Sequence, residues 1–338
     1  MIRITGTGAV SSAGWGAPAM MEALDSGARP ELSELTRERK QGEPVATPVL
    51  RVPAAPSTLP KSPRLRRVSP VSKFAAAAAM EALGPERATL VASGEIRLGV
   101  VCTLFNGCVN YSNRFFGEVL VEPSVASPIL FPETVFNAPS SHLSALFNST
   151  APNDTILGDG AEVYTALEIA TEWLLRGDCD GVLVVAPEEI DWLSAEGLRL
   201  YSDDAIPSEG AAALYLELGG EGPQLLSIPD PVLLGPGIDR AAALQDAATA
   251  AGASDDGRTL LADSRSGVAR FDKPESEAFA SWSGPRLSVK PVLGDCFGTS
   301  AGHQLVAAVE RLRRGDVEQA LVITLGGNEQ VGACRLGR

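Results

Sequence analysis

Short, strongly apolar runs alternate along the chain with longer segments in which apolar residues recur at helical spacing. Runs of roughly four to eight apolar residues are typical of strands buried on both faces of a sheet. The pattern predicts a strand over residues 2–10, a helix over 71–83, and buried strands over 98–103, 182–186, 211–216, 259–262 and 320–324. Because helical patterns separate several of these strands, the chain is predicted to be α/β. Residues 30–70 are rich in Pro, Arg and Lys without sustained periodicity, and they are predicted to form a surface loop.

One sequence pattern occurs twice. Leu157-Gly-Asp-Gly160 precedes a helical stretch that ends near Arg176-Gly-Asp178, and a buried strand follows. Leu293-Gly-Asp-Cys296 precedes a second helical stretch that ends near Arg314-Gly-Asp316, again followed by a strand. In both helices the apolar residues share one face. The pattern indicates either a chance likeness between two α/β units or a duplicated fold whose two helix N-termini face a shared site.

Composition and charge narrow the class of protein. With 338 residues, of which 45% are hydrophobic, the chain can bury a large core, and its length suggests about two domains. The net charge of −14 is the opposite of what a nucleic-acid-binding protein carries, so no nucleic-acid partner is predicted. No apolar stretch is long enough to span a bilayer, and the first residues lack the apolar segment of a secretion signal. No membrane association is therefore predicted.

The cysteines are dispersed and include no Cys-x-x-Cys pair. They are Cys102, Cys108, Cys179, Cys296 and Cys334. An odd number without paired spacing argues against a disulfide framework and against a zinc site. The cysteine pattern therefore indicates reduced thiols in a cytoplasmic protein. Neither a metal nor a cofactor is predicted.

Five segments, taken in order, carry a resemblance to a known family. They are residues 2–11, 132–144, 207–217, 288–298 and 325–327. Together they resemble the β-ketoacyl synthases, the condensing enzymes of fatty-acid and polyketide assembly, over nearly the whole chain. The resemblance implies a thiolase-like α/β/α/β/α layered fold made of two similar halves, here residues 1–220 and a trimmed second half over residues 221–338.

The same resemblance indicates which residues of this chain stand at the family's catalytic positions. In the family a cysteine thiolate at a helix N-terminus takes the acyl chain, and two histidines help to decarboxylate the malonyl unit. Counting forward from His142 and backward from Gly177 places the cysteine position at Gly160, which has no side chain. The histidine positions fall at Asp263 and Asp295. The resemblance therefore implies a degenerate, catalytically silent site.

Other side chains could still support chemistry. Cys296 begins a predicted helix, where the pKa of a thiol can fall, although a buried inert thiol is the simpler interpretation. Asp159 and Asp295 could act as paired carboxylates or could cap helices. Lys290 could neutralise Asp295. His303 is an alternative match to the second family histidine, although its spacing from Lys290 is wrong.

Without a nucleophile, the chain most resembles the chain length factor of type II polyketide synthases. That subunit pairs with an active ketosynthase and forms one wall of the tunnel that holds the growing chain. The resemblance implies two partners for this chain, an active ketosynthase in a heterodimer and an acyl carrier protein reached through the complex. Two other functions stay open, an enzyme with rewired chemistry on the same fold (acyl transfer or hydrolysis) and an acyl-carrier docking scaffold.

The resemblance also implies which residues meet the partner. Segments 106–116 and 131–147 are expected at the interface. The residues predicted to wall the tunnel, with ordinary core packing as the alternative, are Cys108, Tyr111, Phe115 and Phe116. The residues predicted at the subunit interface are Phe136, His142 and Leu143, of which His142 has a structural role.

Overall fold

The computed structural model describes residues 1–39, 41–57, 62–327 and 330–338. The strands are β1 (Ile2–Ser11), β2 (Gly14–Trp15), β3 (Ser33–Arg37), β4 (Val45–Val49), β5 (Leu98–Leu104), β6 (Asn153–Leu157), β7 (Gly181–Glu188), β8 (Gly210–Leu218), β9 (Gln224–Ser227), β10 (Val232–Leu233), β11 (Leu260–Asp263), β12 (Arg286–Ser288), β13 (Gln319–Leu325) and β14 (Gln330–Gly337). The helices are α1 (Ala17–Ser26), α2 (Pro70–Ser93), α3 (Val109–Val121), α4 (Ala138–Phe147), α5 (Glu162–Arg176), α6 (Trp192–Arg199), α7 (Arg240–Ala250), α8 (Ala269–Ala278), α9 (Lys290–Leu293) and α10 (Gly298–Arg314). Short 3-10 turns cover Pro63–Leu65, Pro123–Val125 and Phe131–Glu133.

The same strand arrangement occurs in each half of the chain. The first set runs β6-β5-β7-β8-β1 and the second runs β12-β11-β13-β14-β9. In each set the last strand in chain order lies antiparallel to both of its neighbours, and the remaining strands pair in parallel. A single antiparallel pairing, Arg3 opposite Gln224, joins the two sets. The predicted pair of similar halves is therefore confirmed, and the boundary at residue 220, between β8 and β9, stays a prediction.

The first set of strands is called the first sheet below, and the second set is called the second sheet. Helices pack against both faces of each. Helices α5 and α10 lie in the middle, because one core cluster combines their apolar residues with residues of both sheets. A second cluster packs α2 and α4 against the outer face of the first sheet. A third packs α7 and α8 against the outer face of the second sheet. This order gives the predicted thiolase-like α/β/α/β/α layers. No helix within the described residues is long and apolar enough to cross a membrane.

Small residues allow the layers to approach closely. A β-carbon at Gly6 or Gly8 of β1 would lie 1.8 or 2.0 Å from main-chain carbonyl oxygens of α2. A β-carbon at Gly302 of α10 would lie 2.7 Å from the Cβ of Ala212 on β8. Such distances leave no room for a side chain, so these glycines set how near each helix lies to its strand.

The predicted strands are found near their expected bounds, whereas two other predictions need correction. The helix predicted over residues 71–83 extends to Ser93, with a break at Gly84, where φ is 75° ahead of a proline. The loop predicted over residues 30–70 contains the hairpin β3–β4. Of its strand residues only Thr47 and Val49 are buried, so the apolar periodicity is weak. Tertiary contacts hold the hairpin, including the Arg37–Glu196 ion pair at 2.6 Å. Residues 40 and 58–61 of that loop lie outside the described residues.

Candidate functional site

Gly160 lies in the loop that leads from β6 into α5. The loop is fixed where the Gly158 N–H donates to the Leu104 carbonyl at 3.2 Å. A β-carbon at Gly160 would lie 3.6 Å from both the Phe297 carbonyl oxygen and the Thr324 methyl group, which are ordinary contacts. The position could therefore hold a side chain, but the chain provides no nucleophile there.

Asp263 ends β11 and is buried. One carboxylate oxygen accepts a hydrogen bond from the Ser288 hydroxyl, and the other accepts from the Arg265 guanidinium at 2.8 Å. Arg286 lies 3.9 Å away. Burial raises the pKa of Asp263, and the hydroxyl and the guanidinium oppose that rise. Because its oxygens are engaged in this way, Asp263 serves as the centre of a polar cluster.

Asp295 is held by its backbone and by its side chain. Its N–H and C=O bond to Ile206 and Ser208 at 2.8 Å each. Its carboxylate accepts from Lys290 Nζ at 3.1 Å. Burial lowers the pKa of Lys290, and the carboxylates of Asp295, Glu275 and Asp272 together more than offset this, so the ammonium stays charged. The cavity beside this pair measures about 20 Å³, which is room for a single water molecule.

The sequence repeat extends to side-chain hydrogen bonds. Asp159 Oδ1 accepts from the Ala161 N–H at 3.0 Å, and Asp295 Oδ1 accepts from the Phe297 N–H at 3.0 Å. Both are the same i to i+2 contact ahead of an inner-layer helix, which is a turn and capping role for the two aspartates. Cys296 occupies the place in the second copy that Gly160 has in the first.

Neither Cys296 nor His303 is placed for chemistry. Cys296 is buried, and burial raises the pKa of its thiol well above the usual value. His303 is also buried, and burial lowers its pKa to about 4, so the ring is neutral. Its Nε2–H donates to the Val10 carbonyl at 3.0 Å, with the Ala211 carbonyl 3.3 Å away. His303 therefore ties α10 to β1 and β8. Within the described residues, no group of three potential metal ligands occurs.

The residues predicted to wall the tunnel separate into two environments. Cys108 is 2% exposed and packs with Val71, Leu104 and Ala138, and its predicted place in the tunnel wall stays a prediction. Tyr111 and Phe115 are half-buried, and Phe116 is 59% exposed. None of the residues of α3 is buried, although the helix spans two apolar stretches.

An apolar face surrounds α3. Its exposed members are Phe105, Phe116, Leu120, Val121, Val125, Ile129, Phe131, Val135, Phe136 and Leu157. Leu157 ends β6, the strand at the edge of the sheet. The sequence analysis predicted Phe136 at the interface, whereas Phe105, Leu120 and Val121 lie outside the two segments predicted there. The helical pattern continues past residue 116, and this signal could have identified Leu120 and Val121.

The other two predicted interface residues lie beneath this face. Leu143 is fully buried in the core between α2, α4 and the first sheet. Its own chain therefore covers Leu143, and its predicted place at an interface stays a prediction. His142 is half-buried, with Nε2 2.8 Å from Glu133. This contact ties α4 to the 3-10 turn that carries Phe131.

Sequence reasoning missed the buried carboxylate of Glu188. It ends β7 and accepts the backbone N–H groups of Phe105 and Asn106. Burial raises its pKa to about 8, and the two N–H groups oppose that rise. The adjacent Glu189 accepts from the Ser69 hydroxyl and from two more backbone N–H groups. The hydrogen bonds of both glutamates join segments that are distant in sequence, so no local sequence pattern predicts them.

Replacing Glu188 with glutamine is expected to flatten the pH dependence of stability between about pH 5 and pH 8. The pKa of Glu188 is raised from 4.5 to about 8 on folding, so over this interval only the folded state keeps the proton. Glu188 alone therefore lowers the free energy of unfolding of the unaltered chain by about 1.4 kcal/mol per pH unit as pH rises through this interval, and the variant should lose this part of the slope.

Urea unfolding at several pH values measures this slope. The matched change Glu86→Gln, at an exposed glutamate, should leave the slope as it is in the unaltered chain. An unchanged slope of the free energy of unfolding against pH in the Glu188 variant would show that groups other than Glu188 are responsible for it.

No protein-family profile and no curated protein matches the chain. Among solved structures, the ishigamide ketosynthase/chain length factor is similar with a TM-score of 0.82 at 18% identity, covering 99% of each chain. A ketosynthase in complex with its chain length factor, from Xenorhabdus doucetiae, has a TM-score of 0.81 at 15% identity, over 99% of this chain and 97% of that one. A type II polyketide synthase acyl-carrier protein in complex with its ketosynthase, bound to the hexaketide, gives 0.75 at 18% identity, over 99% and 98%. The chain thus has the thiolase-like fold of ketosynthases and chain length factors.

Proposed function

We propose that the chain is a catalytically silent ketosynthase-like subunit, a chain length factor. It forms a heterodimer with an active ketosynthase and shapes the tunnel that holds a polyketide or fatty-acyl chain. The observation that carries this proposal is the uncovered apolar face around α3, which lies beside a site without a nucleophile.

The side chains at the site support the proposal that the chain is catalytically silent. Gly160 cannot form a thioester. Asp263 and Asp295 hold negative charge in ion pairs with Arg265 and Lys290, where a condensing enzyme needs groups that stabilise a developing enolate. Negative carboxylates would instead repel the enolate.

The exposed apolar face around α3 supports the proposal that the chain binds a ketosynthase. Exposed apolar residues of this number are rare on proteins that work alone, and they mark contact sites. Obligate interfaces bury on the order of 2,000–5,000 Å² and are apolar at their centre. Two of the similar structures pair a ketosynthase with a chain length factor, and a third holds an acyl-carrier protein on its ketosynthase. An active ketosynthase is therefore the partner we propose, and the carrier protein reaches this chain through it.

Tyr111, Phe115 and Phe116 are the tunnel-wall residues that the proposal retains. They lie on α3, and the ring of Phe115 lies 5.6 Å from that of Phe131. Bulky side chains at the end of a tunnel limit how far a chain can extend. We propose the cytoplasm as the compartment, because all five cysteines are free.

Leu120→Asp is expected to abolish the heterodimer, because it places an unpaired charge in the apolar centre of the interface. Leu120 is 70% exposed in the chain alone, so the change should not harm the fold. The matched control is Leu233→Asp, at a site 71% exposed in the second half. The chain is co-expressed with a ketosynthase encoded by an adjacent gene, and size-exclusion chromatography shows whether the two proteins elute together. If the unaltered proteins elute apart, the partner proposal is wrong.

Phe115→Ala and Tyr111→Ala are expected to lengthen the products of the heterodimer without stopping condensation. Each change removes a large side chain from the tunnel wall and leaves the partner's catalytic groups untouched. Mass spectrometry of the products is the measurement. Leu175→Ala, at a leucine on α5 that is 66% exposed, serves as the control and should leave the length unchanged. Unchanged product lengths in both α3 variants would refute the role in chain length.

The purified chain is expected to take up no acyl group from acyl-carrier thioesters. Gly160→Cys alone should not restore condensation, because Asp263 and Asp295 still stand at the histidine positions. Intact-protein mass spectrometry after incubation is the test. A stoichiometric adduct on the unaltered chain, above all on Cys296, would favour an enzyme with rewired chemistry.

A further inference from the structure

Helix α3 is joined to the rest of the chain near its first residue. None of its residues is buried. No described residue from 109 to 137 belongs to a hydrophobic core cluster. Along its length the helix packs against the segment that follows it, where the Phe115 ring lies 5.6 Å from that of Phe131. Because the core does not hold α3, the position of the helix depends on the contacts of its first turn.

The first turn of α3 takes its cap from the segment that follows β7. Cys108 precedes the helix, and its side chain makes no capping hydrogen bond. Oε1 of Glu189, the residue after β7, accepts the Asn110 N–H at 2.9 Å instead. The side-chain amide of Asn110 donates to the Ile190 carbonyl at 3.2 Å. Both hydrogen bonds therefore join the start of α3 to the end of β7.

The same carboxylate caps α2. Ser69 precedes α2, and its hydroxyl does not cap the helix but donates to Glu189, at 2.6 Å from Oε2. Oε2 also accepts the Val71 N–H at 2.9 Å. Glu189 is fully buried, and burial raises its pKa, whereas the Ser69 hydroxyl and the two N–H groups oppose that rise. Each oxygen thus accepts the N–H of a different helix, and the N-termini of both helices favour a negative charge between them.

We propose that Glu189 is the positioning residue of α3, which it fixes to the end of β7 by capping α2 and α3 with one carboxylate. Helix α2 packs many buried residues into the core and keeps its place without this cap. Helix α3 has no buried residue, so the carboxylate matters most for α3 and for the apolar face around it. The contact also sets where Tyr111, Phe115 and Phe116 lie, and their part in a tunnel wall rests on the proposed function.

Glu189→Gln in the full chain tests the proposal, with hydrogen–deuterium exchange followed by peptide mass spectrometry. Glutamine has nearly the same shape but one acceptor oxygen, so its amide nitrogen must face the N–H of one helix. Amides of α3 are expected to exchange about tenfold faster or more, because the lost hydrogen bond to a charged group held a segment that the core does not hold. Amides of α10 and of α2 beyond its first turn should exchange at the rate of the unaltered chain.

Glu275→Gln is the matched control. Glu275 is also buried, and it accepts the hydroxyl and the N–H of Ser264 in the second half of the chain. This change should leave the exchange of α3 as it is. Equal exchange of α3 in Glu189→Gln and in the unaltered chain would overturn the proposal. A rise of the same size in α10 would also overturn it, since Glu189 would then hold the whole fold rather than α3.

A second measurement, with a ketosynthase encoded by an adjacent gene added to the unaltered chain, tests the heterodimer separately. Slower exchange of α3 in the mixture supports the heterodimer, and unchanged exchange contradicts it. The comparison of Glu189→Gln with the unaltered chain is made without a partner, so neither result changes its outcome. The role of Glu189 and the proposed function can therefore fail independently.

Discussion

The burial of α5 and α10 between two sheets is the constraint on which the rest of the structure depends. Helix α10 is enclosed along most of its length, and a polar side chain enclosed in this way needs a partner, because a buried polar group without one costs several kcal/mol. On α10, His303 donates to the Val10 carbonyl of β1, and the Gln304 side chain bonds to Ile323 and Thr324 of β13. One helix is thereby tied to both sheets. Its N-terminus, and with it the loop from Asp295 to Phe297, has little freedom to move.

The same dry layer decides which substitutions the site tolerates. A buried carboxylate needs a cation or hydrogen-bond donors beside it, and Asp263 and Asp295 have Arg265 and Lys290. Removing one partner from a buried ion pair costs about 3–5 kcal/mol. A neutral or cationic side chain at either position would leave the arginine or the lysine without its carboxylate. Each aspartate is therefore coupled to a neighbouring cation and is not exchanged without a change at that neighbour.

The sequence was sufficient where the signal is local or repeated. Long apolar runs located the inner strands, and the two Leu-Gly-Asp segments located both inner helices. It was insufficient where burial depends on distant segments. Leu143 and Phe136 are both apolar and close in sequence, yet one packs into the core and the other stays exposed. The contact between Glu188 and Phe105, and the positive φ of Phe297, arise from tertiary packing and leave no pattern in the chain.

The core and the apolar face obey different requirements. The three main clusters take their residues from the sheets and the other helices, and α3 contributes to none of them. Helix α3 is therefore dispensable for the chain's own core, yet Leu120 and Val121 leave 70% and 86% of their surface in water. Leu157 of the apolar face ends the edge strand β6, which has one row of backbone groups open to pairing. A partner that extended the sheet from β6 would bring its own surface over α3, so that one contact would satisfy the backbone edge and cover the apolar residues together.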